Sequence, residues 1–451
     1  MNVTLRKLFE VQGRGTGRRI GVGLAVFGAL LVGSARGVTP ATLTDAQLRD
    51  RPVRVVSIDD GVAALYDAAG VLRQRAIRDI VRLTFTPPAL ETPVKEAAAP
   101  DAEPARAFWA LTLTDGQRWV GVPAPPPGAA AADTLRWTHA ALGVVAVPLE
   151  RVQRVDRVDV DRDRPSPHRQ TWSDGASAAP LDDTATLRNG DVLSGFVAAL
   201  DDNGLTLETD TGDVTLTWDA LSSVRLANPA QPVFAAEDVF ELRDSSRVHA
   251  RAARLDETHA HITPTLVADT LGLPRQSVVD DDARRAVPIT DVAQIDFAAS
   301  GYRLIDLTTL PPRVGDDAGN AFGLSFPPKL VLDPHDGPQA WVHAPVALDF
   351  DLPARARAVR LAGRATLTLP ARLAPDAAAL ADATLVVADD AGDALNRPLP
   401  PDTPLPFTVP LDATSLQLRV EPGPNGPALD RVRLDRLRLL LQLDEDAGPG
   451  H

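Results

Sequence analysis

Thr184 to Leu226 reads TATLRNGDVLSGFVAALDDNGLTLETDTGDVTLTWDALSSVRL, and this stretch decides the fold class. Apolar residues alternate from Leu187 to Gly195 and again from Leu205 to Trp218, with Asn189-Gly190, Asn203-Gly204 and Thr211-Gly212 between them. A period of two punctuated by such pairs reads as an antiparallel meander, because those residues accept the backbone angles of tight turns. The stretch closes on Trp218, Leu221 and Val224. Their spacing of three predicts one tight helical turn, dropped onto the open end of a small curved sheet.

Imperfect copies lie on either side. Residues 46-85 repeat the pattern with Val55, Ile58, Val62 and Leu65, then close on Ile77, Ile80 and Leu83. In residues 107-155, Leu113-Thr114-Asp115-Gly116-Gln117-Arg118-Trp119-Val120-Gly121 matches Leu187-Arg188-Asn189-Gly190-Asp191-Val192-Leu193-Ser194-Gly195 at the turn and at the final glycine, and Leu149, Val152 and Val155 close the unit. The third copy is 184-227. In the fourth, 236-297, Ser245 and Ala250 replace the two glycines, and Ile289, Val292 and Ile295 close it after a polar insertion containing Asp280, Asp281 and Asp282. Residues 86-106 and 156-183, rich in proline and charge, read as linkers. Four related units of this size argue for duplication of one small β module. Bent strands with a short helical turn loosely resemble small Sm-like barrels. Each unit is too small to bury a sufficient core alone, so neighbours are expected to pack together.

The chain begins with Arg6, Lys7, Arg14, Arg18 and Arg19, an apolar run from Ile20 to Val32, and then Ala35-Arg36-Gly37. That order predicts a secretory signal peptide over 1-37, cleaved after Gly37. The run is shorter than the ~20 residues a bilayer span needs, so no integral membrane segment is expected after cleavage. The chain of 451 residues has no cysteine, which excludes disulfides, thiol catalysis and a lipidated cysteine. Its 46 Lys and Arg against 60 Asp and Glu give a net charge of −14, and removing a basic leader makes the remainder more acidic still. Such a surface repels phosphate backbones, and nucleic acid is not an expected partner.

Beyond Phe297 the pattern changes to longer half-buried strands. Val346, Leu348, Phe350 and Leu352 alternate with polar or small residues, as do Phe407, Val409 and Leu411, then Leu416, Leu418 and Val420. The last strand alternates through Val432 and Leu434, slips at Asp435-Arg436, and resumes at Leu437, Leu439 and Leu441, which predicts a β-bulge. The order of four elements resembles the novel putative carbohydrate-binding module (NPCBM) family over residues 300-443: Tyr302 to Leu307; His343-Ala344-Pro345 followed by Leu348 to Leu352; the hairpin Leu385 to Leu395; and Leu416 to Val420 leading through Asn425-Gly426 to Asp430. That resemblance implies a jelly-roll β-sandwich and a glycan partner. The whole chain is therefore expected to be all-β, with tandem small β-barrel or meander repeats followed by the sandwich.

Sugar recognition needs an aromatic platform beside hydrogen-bonding side chains, since pyranose faces are apolar and their rims carry hydroxyls. In the C-terminal module this selects Trp341 and His343, together with the acidic hairpin residues Asp389, Asp390 and Asp393. Trp341 also fits a core position, and His343 a structural role. The turns Asp389 to Asp393 and Asp316 to Asn320 are oxygen-rich and could hold a structural calcium, although hairpins select the same residues. His259 and His261 share one face of a strand, with His249 as a neighbour, but no cysteine or fixed carboxylate completes a zinc set. Neither a nucleophile elbow, a phosphate loop, a dinucleotide fingerprint nor an HExxH motif occurs, so no enzyme activity and no cofactor are expected. The expectation is an exported binding or scaffold protein, placed in the periplasm, the cell envelope or outside the cell. The alternatives are an envelope assembly protein that binds other proteins through its repeats, or a glycoside hydrolase accessory protein.

Overall fold

The computed structural model describes residues 38–87, 108–125, 133–158, 182–229, 237–265, 284–315, 320–321, 324–333, 337–353, 356–370, 380–426 and 429–443. The leader, most of both linkers and Asp316 to Gly319 lie outside these residues. From Thr39 onward the chain forms one unit. It is all-β, and among the described residues the helical pieces are short 3-10 turns.

Each repeat is a five-stranded barrel. The first holds β1 (Thr39–Thr44), β2 (Asp50–Asp59), β3 (Val62–Tyr66), β4 (Leu72–Ala76) and β5 (Arg82–Phe85). The second holds β6 (Phe108–Leu113), β7 (Arg118–Pro123), β8 (Thr134–His139), β9 (Gly143–Pro148) and β10 (Val152–Val158). The third holds β11 (Asp183–Leu187), β12 (Val192–Leu200), β13 (Gly204–Thr209), β14 (Gly212–Thr217) and β15 (Leu221–Arg225). The fourth holds β16 (Asp238–Leu242), β17 (Arg247–Leu255), β18 (His259–Pro264), β19 (Arg285–Pro288) and β20 (Val292–Asp296). In every barrel the first four strands pair in sequence, and the fifth returns to pair with the first.

Three details differ from the sequence expectations. The first barrel opens at Thr39, before residue 46, because the short β1 supplies the partner that β5 needs. The strand β10 runs to Val158, into the expected linker 156-183, because it pairs with β6 on one side and β15 on the other. The spacing of three is a helical turn over its first interval only: 3-10 turns cover Ile77–Asp79, Leu149–Arg151 and Ile289–Asp291, while the second interval runs into the last strand. In the third barrel the turn covers Trp218 to Ala220, and Leu221 already begins β15. A register shift beside Ser222 then turns both Leu221 and Val224 inward, and shifts beside Gln153 and Ala293 do the same for Val152/Val155 and Val292/Ile295. A bulge adds one residue to a period of two and so reproduces the helical spacing. Trp218 is half-buried; it sits edge-to-face on Trp109 of the second barrel at 4.8 Å and donates its Nε1–H to the Asp201 carbonyl.

The barrels associate as two pairs. The last strands of barrels one and four pair antiparallel, with Ile295 opposite Leu83. Those of barrels two and three do the same, with Val224 opposite Val155. Even the flanking bonds correspond: Phe297 N–H donates to the Val81 carbonyl in the first seam, and Leu226 N–H to the Gln153 carbonyl in the second. One continuous apolar core runs through all four barrels.

The remaining strands are β21 (Tyr302–Asp306), β22 (Arg313–Val314), β23 (Asn320–Ala321), β24 (Leu324–Ser325), β25 (Lys329–Asp333), β26 (Gly337–His343), β27 (Val346–Asp351), β28 (Ala356–Leu367), β29 (Ala383–Asp389), β30 (Gly392–Leu399), β31 (Leu405–Ala413), β32 (Ser415–Pro422) and β33 (Arg431–Leu443). Strands β23 and β24 pair with each other as a separate hairpin, and the others build a two-sheet sandwich. One sheet runs β25-β26-β33-β28-β31, with β21 also on β33; the other runs β22-β27-β32-β29-β30. Phe350, Leu385 and Leu418 from the second sheet meet Leu361, Leu434 and Leu439 from the first in an apolar core. The slip at Asp435-Arg436 is a bulge: the register against β28 shifts there, and Arg436 has a φ of 53°. The outer face of the six-stranded sheet leans on the first barrel through Leu48, Val81, Leu304, Ala362 and Leu440. The Arg438–Asp50 ion pair at 2.8 Å borders that contact.

Candidate functional site

In β26, Ala340 and Val342 enter the sandwich core, so Gln339, Trp341 and His343 point the other way, onto the outer face of the six-stranded sheet. Strand β33 follows the same parity. Val432 and Leu434 are core residues, which puts Arg431, Arg433 and Asp435 beside them, with Trp341 opposite Arg433 and His343 opposite Arg431. The Arg431 guanidinium lies 4.3 Å above the Trp341 ring. His343 stacks on Phe326 at 4.7 Å, with an angle of 18° between planes, and Phe326 is 40% exposed. His343 Nδ1 sits 2.9 Å from the Ala344 carbonyl oxygen, which can only accept; Nδ1 therefore carries the proton and Nε2 is the acceptor of the neutral ring. Arg364 Nε holds Asp435 at 2.6 Å, and Arg433 approaches the other carboxylate oxygen at 3.3 Å. The result is two flat aromatic surfaces beside a row of forked donors, an arrangement that can stack a ring and hydrogen-bond its rim.

The three acidic candidates are not part of this face. They lie on the other sheet and at the far end of β27, whose Val346 end adjoins His343 and whose Asp351 end faces Ser415. That separation is about 17 Å along the strand alone. Asp389 Oδ1 accepts from Ala391 N–H within its own hairpin. Asp390 accepts from the hydroxyls and backbone N–H groups of Ser415 and Thr414, which hold its pKa down to about 2. Asp393 pairs with Arg419 at 2.8 Å. These carboxylates already serve turns and a cross-strand pair, so a calcium ion would have to displace their hydrogen bonds.

The histidines do not converge either. His261 pairs with Asp256 at 2.9 Å, and His259 contacts the Thr258 hydroxyl. His249 is buried where barrels two and four meet, and burial lowers its pKa to about 4. Among the described residues no cluster of three metal-ligating side chains occurs, and no helix is long and apolar enough to cross a membrane.

Sequence reasoning passed over one titratable site. Asp430 is fully buried next to the corner that joins β26 to β27, where its carbonyl accepts from Ala344 N–H. Among the described residues neither of its carboxylate oxygens has a well-formed hydrogen bond. Burial, reinforced by the charge of Asp382, pushes its pKa up to about 6 against the opposing pull of the Asp382 and Gly423 backbone N–H groups. A carboxylate placed directly before an apolar strand was the available signal.

No family model matches the chain, and no curated protein matches it. Solved structures it is similar to include the CBM51 module of a Clostridium perfringens GH95 protein in complex with methyl-galactose, at 15% identity and a TM-score of 0.21, covering 30% of this chain and 99% of that one. The tandem CBM51 modules of the family 98 glycoside hydrolase of Streptococcus pneumoniae SP3-BS71 share 11% identity at a TM-score of 0.22, covering 58% of this chain and 88% of that one. The CBM22-1 xylan-binding domain of Paenibacillus barcinonensis Xyn10C shares 15% identity at a TM-score of 0.16, covering 32% of this chain and 88% of that one.

Proposed function

We propose that the C-terminal sandwich is a carbohydrate-binding module whose site is the outer face around Trp341, His343 and Phe326, and that the whole is an exported, non-catalytic binding protein carried on a scaffold of four barrels. The observation that carries this reading is the outward Trp341, capped by Arg431 and flanked by the stacked His343–Phe326 pair, beside the charged Arg433 and Asp435. An incoming sugar would displace the guanidinium from the indole, or stack on the histidine ring, while Arg433 and the His343 Nε2 meet its hydroxyls. Because Trp341 is already covered, affinity for simple sugars is expected to be weak, with Kd at about millimolar or above. The reading uses no cofactor.

Calorimetry of the full chain against a panel of mono- and oligosaccharides tests it. Weak binding abolished by Trp341→Ala and unchanged in Asp393→Asn supports the outer face. No binding to any glycan, or binding that survives Trp341→Ala, removes it. Export is tested separately by N-terminal sequencing of the mature product, which is expected to start at Val38; recovery of Met1 would end that part of the proposal.

A further inference from the structure

The two barrel pairs enclose equivalent grooves of different chemistry. In the outer pair (barrels one and four) the groove measures about 460 Å³ and is bordered by the 3-10 turn residues Ile77 and Arg78, by Asp238 at the start of β16, and by Arg254. In the inner pair (barrels two and three) the groove measures about 730 Å³ and is bordered by the matching turn residues Leu149 and Glu150 and by Asp183 at the start of β11. The correspondence extends to single bonds. Asp238 accepts from Ala298 N–H and Asp183 from Ala227 N–H, each two residues beyond the last strand of its barrel.

The outer groove carries its own cations, Arg78 and Arg254, facing Asp59, Asp60 and Asp238. Among the described residues the inner groove has no basic lining residue. Glu150 stands where Arg78 stands in the outer pair, and Asp133, Asp182, Glu208 and Asp210 complete an exposed acidic rim. Among the described residues none of these five carboxylates forms an ion pair. Within the rim lies Phe196, 65% exposed, continuing a stripe on β12 from Val192, 59% exposed. An acidic wall beside an open aromatic face matches one chemistry well: a guanidinium pairs with carboxylates in the plane of its fork and stacks on a ring through its face.

We propose that the inner groove docks an arginine-bearing segment of a partner protein, laid across Phe196 and paired with Glu150, Glu208 and Asp210. The segment takes the place that Arg78 and Arg254 fill in the outer pair. This surface is independent of the glycan face, since it belongs to barrels two and three and the glycan face to the sandwich.

The test titrates the full chain with a labelled Arg-Gly repeat peptide of about ten residues at about 0.15 M salt, where long-range attraction to an acidic protein is screened. Saturable binding is expected. The triple variant Glu150→Gln/Glu208→Gln/Asp210→Asn should weaken it at least about tenfold, and Phe196→Ser by about threefold to fivefold. The charge-matched control Asp59→Asn/Asp60→Asn/Asp79→Asn, on the first barrel, should change it by less than about twofold. Thermal unfolding of all three variants checks that each is folded. The proposal is overturned if the parent does not bind, if the groove triple binds as well as the parent, or if the control loses as much as the groove triple, which would reduce the effect to net charge.

Discussion

The outer and inner barrel pairs use the same seam to opposite electrostatic effect. In the outer seam Arg82 of β5 faces Asp296 of β20, and the pair is buried, with Asp296 at 5% side-chain exposure. Arg82 also donates to the Leu304 carbonyl, which ties the seam to the sandwich. At the equivalent position of the inner seam, Arg154 faces Arg225, and Arg154 turns instead to Asp156 on its own strand, at 54% exposure. Backbone register and apolar contacts are therefore enough to form the seam; the ion pair is an addition. What it adds in the outer pair is attachment to the C-terminal module.

The largest expected effect follows from that difference. Arg82→Ala leaves Asp296 buried without its cation and should destabilise by about 3–5 kcal/mol, whereas Arg154→Ala should cost less than about 1 kcal/mol. Chemical denaturation of both variants measures the contrast, and equal losses would break it. The next effect concerns strand spacing. Gly121 and Gly195 of the inner pair lie where a Cβ would meet the Thr138 and Glu208 carbonyl oxygens at 2.1 and 2.2 Å, while the outer pair carries Val53 and Ala250 at the matching positions. Gly195→Ala should cost about 2–3 kcal/mol through overpacking against backbone, and Ala250→Gly about 1 kcal/mol. Tolerance of Gly195→Ala would mean that the two pairs have the same strand spacing.

The joint between the pairs predicts a pH response. Gln117 of β6–β7 is fully buried, receives His249 N–H, and donates to the Thr265 carbonyl of barrel four. Beside it His139 Nδ1 accepts from Ala141 and Leu142 N–H, so its proton is on Nε2, which donates to Ser246 of barrel four. Both imidazoles are buried in neutral form, and burial lowers both pKa values, that of His249 to about 4. An unfolded histidine takes up its proton near pH 6.5, so stability is intact above that value and is lost as pH falls from 6.5 toward 4. The loss from His249 should reach about 3 kcal/mol at most. Denaturation midpoints at pH 7 and 4.5 for the parent and His249→Phe test this, and a variant as acid-sensitive as the parent would dismiss His249 as the cause. Asp430, with its raised pKa, acts in the opposite sense over pH 4 to 6, which is why the difference between parent and variant is the informative quantity.

Much of the fold was legible in the sequence, for local reasons. The hairpin from Thr184 to Gly195, the matching one from Trp109 to Gly121 and the bulge at Asp435-Arg436 are read from alternation, which each strand carries within itself. The pairing of barrel one with four and two with three was not legible, because Leu83 and Val155 are apolar whichever strand they face, and the partner is chosen by residues far along the chain. Strand β1 was missed because Thr39 to Thr44 offers one large apolar residue, Leu43. At the candidate site the decisive information was parity. Trp341 was read as better suited to the core than to a platform, and a one-residue choice of face, set by Ala340 and Val342, turned it outward. Asp389, Asp390 and Asp393 drew notice as free polar groups, but their hydrogen bonds to Ala391, Ser415, Thr414 and Arg419 appear only in three dimensions.

The smallest effect sharpens the comparison at the first hairpin of each barrel. The turn is the same in all four: the backbone N–H of the residue in left-handed conformation donates to a carbonyl three residues back, from Gly116, Gly190, Ser245 and Leu48 alike. The inner pair places glycine there, with φ of 84° and 92°, whereas the outer pair places Ser245 and Leu48, with φ of 71° and 58°. A side chain in that region meets its own backbone, at a cost of roughly 1 kcal/mol that glycine avoids. Leu48 is buried against the sandwich, so its apolar contact offsets the strain. Ser245 is exposed, although its carbonyl accepts from Arg118 of the second barrel. Ser245→Gly keeps that carbonyl in place and should stabilise the chain by about 0.5–1 kcal/mol, while Leu48→Gly should destabilise it by about 2 kcal/mol or more. Denaturation of the two variants side by side distinguishes a turn that tolerates strain from one that uses it. A loss of stability in Ser245→Gly would mean that the serine side chain, and not the backbone, holds the barrels together at this point.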